Sequence, residues 1–280
     1  MNATAGRGDT GSGTGSANGR NTRRAVVVAA RCGLATRGVL YVLVGVLALR
    51  IAFGETGEQA DRQGALAELT EHPGGAALVW VIGAGVVAMA LWRLSEVVFG
   101  AVGPKGDRAS KRAASAARAV FYGVVAYSVL TFAAGRGGGQ DGDQQSRDVT
   151  AKVLDVPAGQ WLVGLAGLAI AIAGIVIAVQ AARRTFRDKL DTASMSEPVH
   201  KAVEVLGTVG GICRGAVFAT AGGFVVHAAL SYDPSAARGV DETLRSFAGT
   251  PAGPWLLVAV AVGLVLFGVF SWAMAMWRRV

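Results

Sequence analysis

Three arginines, Arg37, Arg118 and Arg214, open three copies of one short phrase. The copies read Arg37-Gly-Val-Leu-Tyr41, Arg118-Ala-Val-Phe-Tyr122 and Arg214-Gly-Ala-Val-Phe218. A guanidinium presents five N–H donors in a planar fork that matches carboxylate and phosphate oxygens. Three of them at one depth could converge and bind an anion or a lipid headgroup. Alternatively, each could extend outward along its own helix to reach lipid phosphates. The outward arrangement is the expectation, because it asks nothing special of the packing. A second shared slot lies thirteen residues further on, roughly 20 Å along a helix, at Arg50, Thr131 and His227. A polar residue there in every copy marks a candidate intramembrane polar slot. Arg93 and Glu96, three residues apart, can pair on one helix face.

Other chemistry finds little support. Of the three histidines, His72 and His200 fall in loops on opposite sides and His227 in an apolar run. No pair of His, Cys or carboxylate residues has metal-ligand spacing such as H-E-x-x-H. No G-x-S-x-G nucleophile motif occurs in a plausible context. The stretch Gly135-Arg-Gly-Gly-Gly139 lies in a loop rather than between a strand and a helix, which excludes a phosphate cradle. Cys32 and Cys213 read as small packing residues. The chain is therefore expected to hold no metal or cofactor, to have no catalytic residues and not to be an enzyme.

The elements that position these residues also come in threes. Each phrase leads into an apolar run, then a charged stretch, then a Pro-small-Gly (Pro73-Gly74-Gly75, Pro157-Ala158-Gly159, Pro251-Ala252-Gly253), then a longer apolar run. Self-similarity of this kind sets architecture before any single residue does. The boundaries expected are 25–104, 105–190 and 191–280, after a disordered tail at 1–24 that is rich in Gly, Ser, Thr, Asn and Arg. Hydrophobic residues make up 52% of the chain and charged residues only 16%, against about 25% in soluble domains. Mean hydropathy is +0.44. The uncharged runs Trp161–Val179 and Trp255–Trp277 are long enough to cross a hydrocarbon core about 30 Å thick. A short amphipathic segment precedes each proline, with Leu66 and Leu69, Val149 and Val153, and Leu244 and Phe247 at helical spacing.

The net charge of +8 suggests nucleic acid until its distribution is considered. With both termini cytoplasmic, the tail through Arg37, residues 99–118, residues 182–214 and the last residues carry 19 of the 27 Lys and Arg. The three opposite loops carry 7 basic and 12 acidic residues. That is the bias of a multi-pass protein with basic cytoplasmic loops, so no nucleic-acid partner is expected. Two spans per repeat orient all repeats alike, which permits only a symmetry axis along the membrane normal. The fold expected is an all-α membrane bundle of six transmembrane helices, built from three parallel two-helix repeats with pseudo-three-fold symmetry.

The Arg-small-x-x-aromatic opening, the short loop helix, the Pro-small-Gly and the second span resemble a bacterial, mainly actinobacterial, membrane family. It is known only as domain of unknown function number twelve hundred and six. The resemblance covers residues 29–279 and implies a two-helix unit occurring three times. Repeat two departs most, with Ala119 in place of Gly and a longer Asp/Gln/Gly loop. The family carries no assigned activity. The function expected is that of a non-enzymatic structural or accessory bundle in the bacterial plasma membrane, engaging membrane lipids or another membrane protein. The alternative is a small-solute or ion transporter using the pseudo-three-fold axis. An open, polar-lined axis would mark the transporter, and a filled apolar axis the accessory bundle.

Overall fold

A peptide group in hydrocarbon has no water to bond, so each apolar run must satisfy its backbone internally as a helix. The computed structural model describes residues 13–54, 59–99, 109–135, 142–191 and 195–277. Within them lie nine α-helices: α1 (Gly13–Ala52), α2 (Arg62–Thr70), α3 (Gly75–Phe99), α4 (Ala109–Ala133), α5 (Gly142–Leu154), α6 (Gly159–Ala182), α7 (Glu197–Ser231), α8 (Val240–Ala248) and α9 (Pro254–Trp277). Six of these, α1, α3, α4, α6, α7 and α9, are long and apolar enough to cross a membrane. The protein is a multi-pass membrane protein. The basic lead-ins run without interruption into α1, α4 and α7. Helix α1 extends back to Gly13, into the segment expected to be disordered, because lengthening an existing helix avoids the cost of a new nucleus. Residues 1–12 of that tail lie outside the described residues.

The short helices α2, α5 and α8 are the amphipathic loop segments. Leu66 and Leu244 are buried as expected. In α5 the buried positions are Asp143, Thr150 and Leu154, whereas Val149 is 55% exposed. The inward face of α5 is therefore one residue out of step with the expected Val149/Val153 pair. Each Pro-small-Gly breaks the chain between a short helix and a spanning one. The turn uses the left-handed region at Gly74 (φ 80°), Ala158 (φ 62°) and Gly253 (φ 56°). Only repeat two places a side chain there.

The second span of each repeat packs chiefly against the first span of the next: α3 on α4, α6 on α7 and α9 on α1. Within a repeat, α1 meets α3 and α7 meets α9, but α4 and α6 share no comparable interface among the described residues. The tightest seam is α6–α7. There a Cβ on Gly167, Gly174, Gly215 or Gly222 would collide with the facing backbone. In lipid, such close approach supplies the dispersion contacts that hydrophobic burial cannot. Phe267 and Phe270 of α9 pack with Leu34 of α1, Met89 of α3 and Val203 of α7 in a buried cluster.

A cavity between the first helices of the repeats

Between these helices lies a cavity of about 170 Å³. Two sets of equivalent repeat positions face it: Leu40, Phe121 and Val217, and beside them Tyr41, Tyr122 and Phe218. These are the closing residues of the three sequence phrases, carried on α1, α4 and α7. Val44, Val86, Val125 and Leu264 continue an apolar wall. Arginines stand at both ends. Arg37 and Arg214 line one, and Arg62, from α2, reaches in from the end bearing the short helices.

Two of the three phrase arginines thus converge, contrary to the outward expectation. The Nε–H of Arg37 donates to Ser271 Oγ at 3.1 Å, and its guanidinium lies 5.1 Å from the Phe267 ring centre. The Nε–H of Arg214 donates to the Tyr41 hydroxyl at 2.7 Å. Its guanidinium lies 4.8 Å from the same Phe267 ring and 5.3 Å from Phe218. Aromatic faces offset part of the cost of drawing these cations inward. Among the described residues neither arginine has a carboxylate within ion-pair distance. Arg118, the third of the set, is exposed and does not line the cavity. Among the described residues its helix α4 packs substantially on α3 alone.

Nothing in the repeated phrases singles out Arg62. Its Nε–H is buried with no hydrogen-bond partner among the described residues, and its Nη2 reaches Ser128 Oγ at 3.5 Å. Burial lowers its pKa, opposed by the nearby charge of Asp61. The polar slot does not assemble. Arg50 pairs with Glu68 at 3.2 Å, the Thr131 hydroxyl donates to carbonyls of its own helix, and His227 is exposed. None of the three lines the cavity. Arg93 and Glu96 do pair, at 2.8 Å, and Ser115 of α4 donates to the same carboxylate at 3.1 Å. Cys32 and Cys213 are free thiols.

Over the Arg62 end, three buried aspartates, one per repeat, close a cycle. Asp61 accepts from the backbone N–H of Gly142 at 3.0 Å, at the start of α5. Asp143 accepts from the N–H of Glu242 at 3.1 Å, in α8. Asp241 accepts from the N–H of Ala60 at 2.8 Å, beside Asp61. Each carboxylate thereby ties one repeat to an otherwise unpaired amide near the next short helix, where the helix dipole also favours negative charge. Asp61 additionally caps its own helix through Gln63 and Gly64. Arg147 pairs with Glu242 across the same junction. Burial pushes the Asp143 carboxyl up to about 6, reinforced by the charges of Asp241 and Glu242 and opposed by the Glu242 amide. A signal for this ring was present in the sequence: an aspartate opens the short segment of every repeat. Among the described residues no group of three His, Cys, Asp or Glu could hold a metal ion.

Comparison with known proteins bears on the repeats and the chain as a whole. The family described as Domain of Unknown Function (DUF1206) matches three segments, residues 32–100, 113–184 and 209–278. Each falls within one of the repeats read from the sequence. The uncharacterized protein YxxB of Bacillus subtilis (strain 168) is 32% identical over 243 residues, 86% of this chain and 87% of that protein. No solved structure matches.

Proposed function

The chain belongs to the DUF1206 family, and we propose that it is a non-enzymatic membrane protein that holds an organic anion in the cavity between its repeats. The observation that carries this reading is the pair Arg37 and Arg214, drawn into the cavity with no carboxylate among the described residues to balance either. A charge at the centre of a membrane-spanning helix costs roughly 2.5–3.5 kcal/mol on insertion scales. A ligand carboxylate or phosphate between two guanidinium forks would offset much of that through charge-assisted bonds. The wall between the arginine ends is apolar, and the volume of about 170 Å³ is close to that of an engineered cavity known to take benzene. The ligand therefore combines one anionic head with an apolar body. An apolar wall favours binding over conduction of hydrated ions.

The three repeats, in this reading, surround a common axis along the membrane normal that passes through the cavity. The aspartate cycle and the cyclic packing of second on first spans support that arrangement. The charge bias supports cytoplasmic termini in a bacterial plasma membrane, with the aspartate ring on the outer side.

The test is thermal unfolding in neutral detergent with added benzoate. A ligand at 100 times its Kd stabilises by about 2.7 kcal/mol, so the parent's midpoint should rise by several degrees. The Arg37→Gln/Arg214→Gln variant should fold and show no rise. An equal rise in both, or none in the parent, contradicts the reading.

A further inference from the structure

The cavity has a missing wall. Around the bundle, α1, α3, α4 on one side and α6, α7, α9 on the other form continuous packed interfaces, closed by α9 on α1. Among the described residues α4 packs substantially on α3 alone, and no comparable interface joins it to α6 or α7. The core windows of α4 and α6 are each 17% buried, against 56% for α9. Phe121 both lines the cavity and is 54% exposed. Val124, one turn on, is 55% exposed. Gly123 of α4 and Gly223 of α7 each face open space, with nothing within 4 Å of where a Cβ would sit.

From this geometry we propose that the seam between α4 and α6 is a lateral portal. Through it the head of a single-chain anionic amphiphile, a long-chain carboxylate, enters from the bilayer and reaches Arg37 and Arg214. The inference rests on the anion-binding reading above and gives its ligand a class. A benzene-sized cavity accommodates only the head and first few methylenes of such a molecule. An open side lets the remaining chain stay in lipid, so the ligand can be much longer than the cavity. Phe121 occupies the slot one turn beyond Arg118, equivalent to Leu40 and Val217, so the opening lies beside the level of the two inward arginines. Arg118, exposed on α4, stands on the same face at the rim, where it can meet the anionic head before entry. The charges are complementary at each stage: a cation at the rim, two cations within that have no carboxylate partner among the described residues, and an apolar wall between.

The experiment uses the full chain in nanodiscs of neutral phosphatidylcholine, with Cys32→Ser and Cys213→Ala. Spin-labelled stearate reports bound chain as an immobilised fraction, and benzoate, which enters from water, reports the cavity through thermal shift. A pyrene maleimide on Val124→Cys plugs the seam, and the same label on Val262→Cys of α9 is the control. The expected result is a severalfold loss of immobilised stearate with the plug at 124, no loss with the label at 262, and an unchanged benzoate shift in both. Stearate immobilised equally with the seam plugged would overturn the portal. So would benzoate binding with no immobilised stearate in the parent, because the ligand would then come from water. Protection of the Val124→Cys thiol from the maleimide, with cross-linking to a dimer, would place a second copy over the seam and also overturn it. Failure of both ligands to bind the parent would instead refute the anion-binding reading itself.

Discussion

The Nε–H of Arg214 donates to the hydroxyl of Tyr41 at 2.7 Å, joining the first residue of the phrase in the third repeat to the last residue of the phrase in the first. That bond uses Nε, and among the described residues the two terminal nitrogens of the guanidinium make no hydrogen bond that would compete with a ligand. Tyr41 is therefore a positioning residue for the cation. Hydrogen bonds to charged groups contribute about 1.5–3 kcal/mol, so Tyr41→Phe should weaken benzoate binding about tenfold. The fold should tolerate the change, because the ring that packs edge-on against Phe267 is kept. Ligand-dependent thermal shifts measure both effects.

The aspartate cycle should be a main clamp between repeats. Asp61→Ala removes the acceptor from Gly142, Gln63 and Gly64 at once. A buried donor left unpaired costs about 1–3 kcal/mol. Loss of three accepted bonds, the half-buried one from Gly142 and the two of the cap, should lower the unfolding midpoint by more than Asp241→Ala does. Asp241→Ala removes the acceptor from the Ala60 amide and from the Nε–H of Arg245. Because the three bonds close on one another, the double variant should lose less than the two single losses added.

Asp143 gives the clamp a pH dependence of defined sign. Its carboxyl titrates at about 6 in the folded protein, above the ordinary 3.8, so the folded state binds its proton more tightly than the unfolded state. Stability from this group is full below pH ~4 and is lost as pH rises through about 6. Asp143→Asn retains a carbonyl to accept from Glu242 and carries no charge. Midpoints recorded between pH 4 and pH 7 should fall less steeply for the variant than for the parent.

Two adjacent glycines test the α6–α7 seam. A Cβ at Gly222 would collide with the backbone of Ala171 and Gly167, while one at Gly223 meets nothing within 4 Å. Gly222→Ala should destabilise the protein by about 1–3 kcal/mol through forced separation of the helices. Gly223→Ala should be neutral or slightly stabilising, since Ala is the better helix former. Unfolding midpoints of the two variants compared side by side decide it.

Much of this architecture is legible in the sequence because it is local. The apolar runs, the Pro-small-Gly breaks and the loop helices follow from short-range spacing, and the repeat organisation follows from their recurrence. The repeated aromatic after each arginine was visible, but its destination was not. Whether Tyr41, Tyr122 and Phe218 face lipid or one another depends on helix rotation, which apolar composition on all sides leaves open. The direction of the arginines is hidden from the sequence for the same reason: Phe267 and Ser271, which hold Arg37, lie more than 200 residues away. The aspartates cross from repeat to repeat, so no window of sequence contains both partners of any bond in the cycle. Arg62 looked like one charge among many in a loop because its burial depends on where α2 folds back over the bundle.

The central claim is that Arg37 and Arg214 form one anion site, and calorimetric titration of the purified protein with octanoate in neutral detergent tests it most directly. The account predicts saturable one-to-one binding by the parent, weakened at least tenfold by Arg37→Lys or Arg214→Lys, because an ammonium cannot reproduce a guanidinium fork. It predicts no change for Arg118→Lys, whose side chain is outside the cavity. Absence of saturable binding, or equal weakening by all three substitutions, would contradict it.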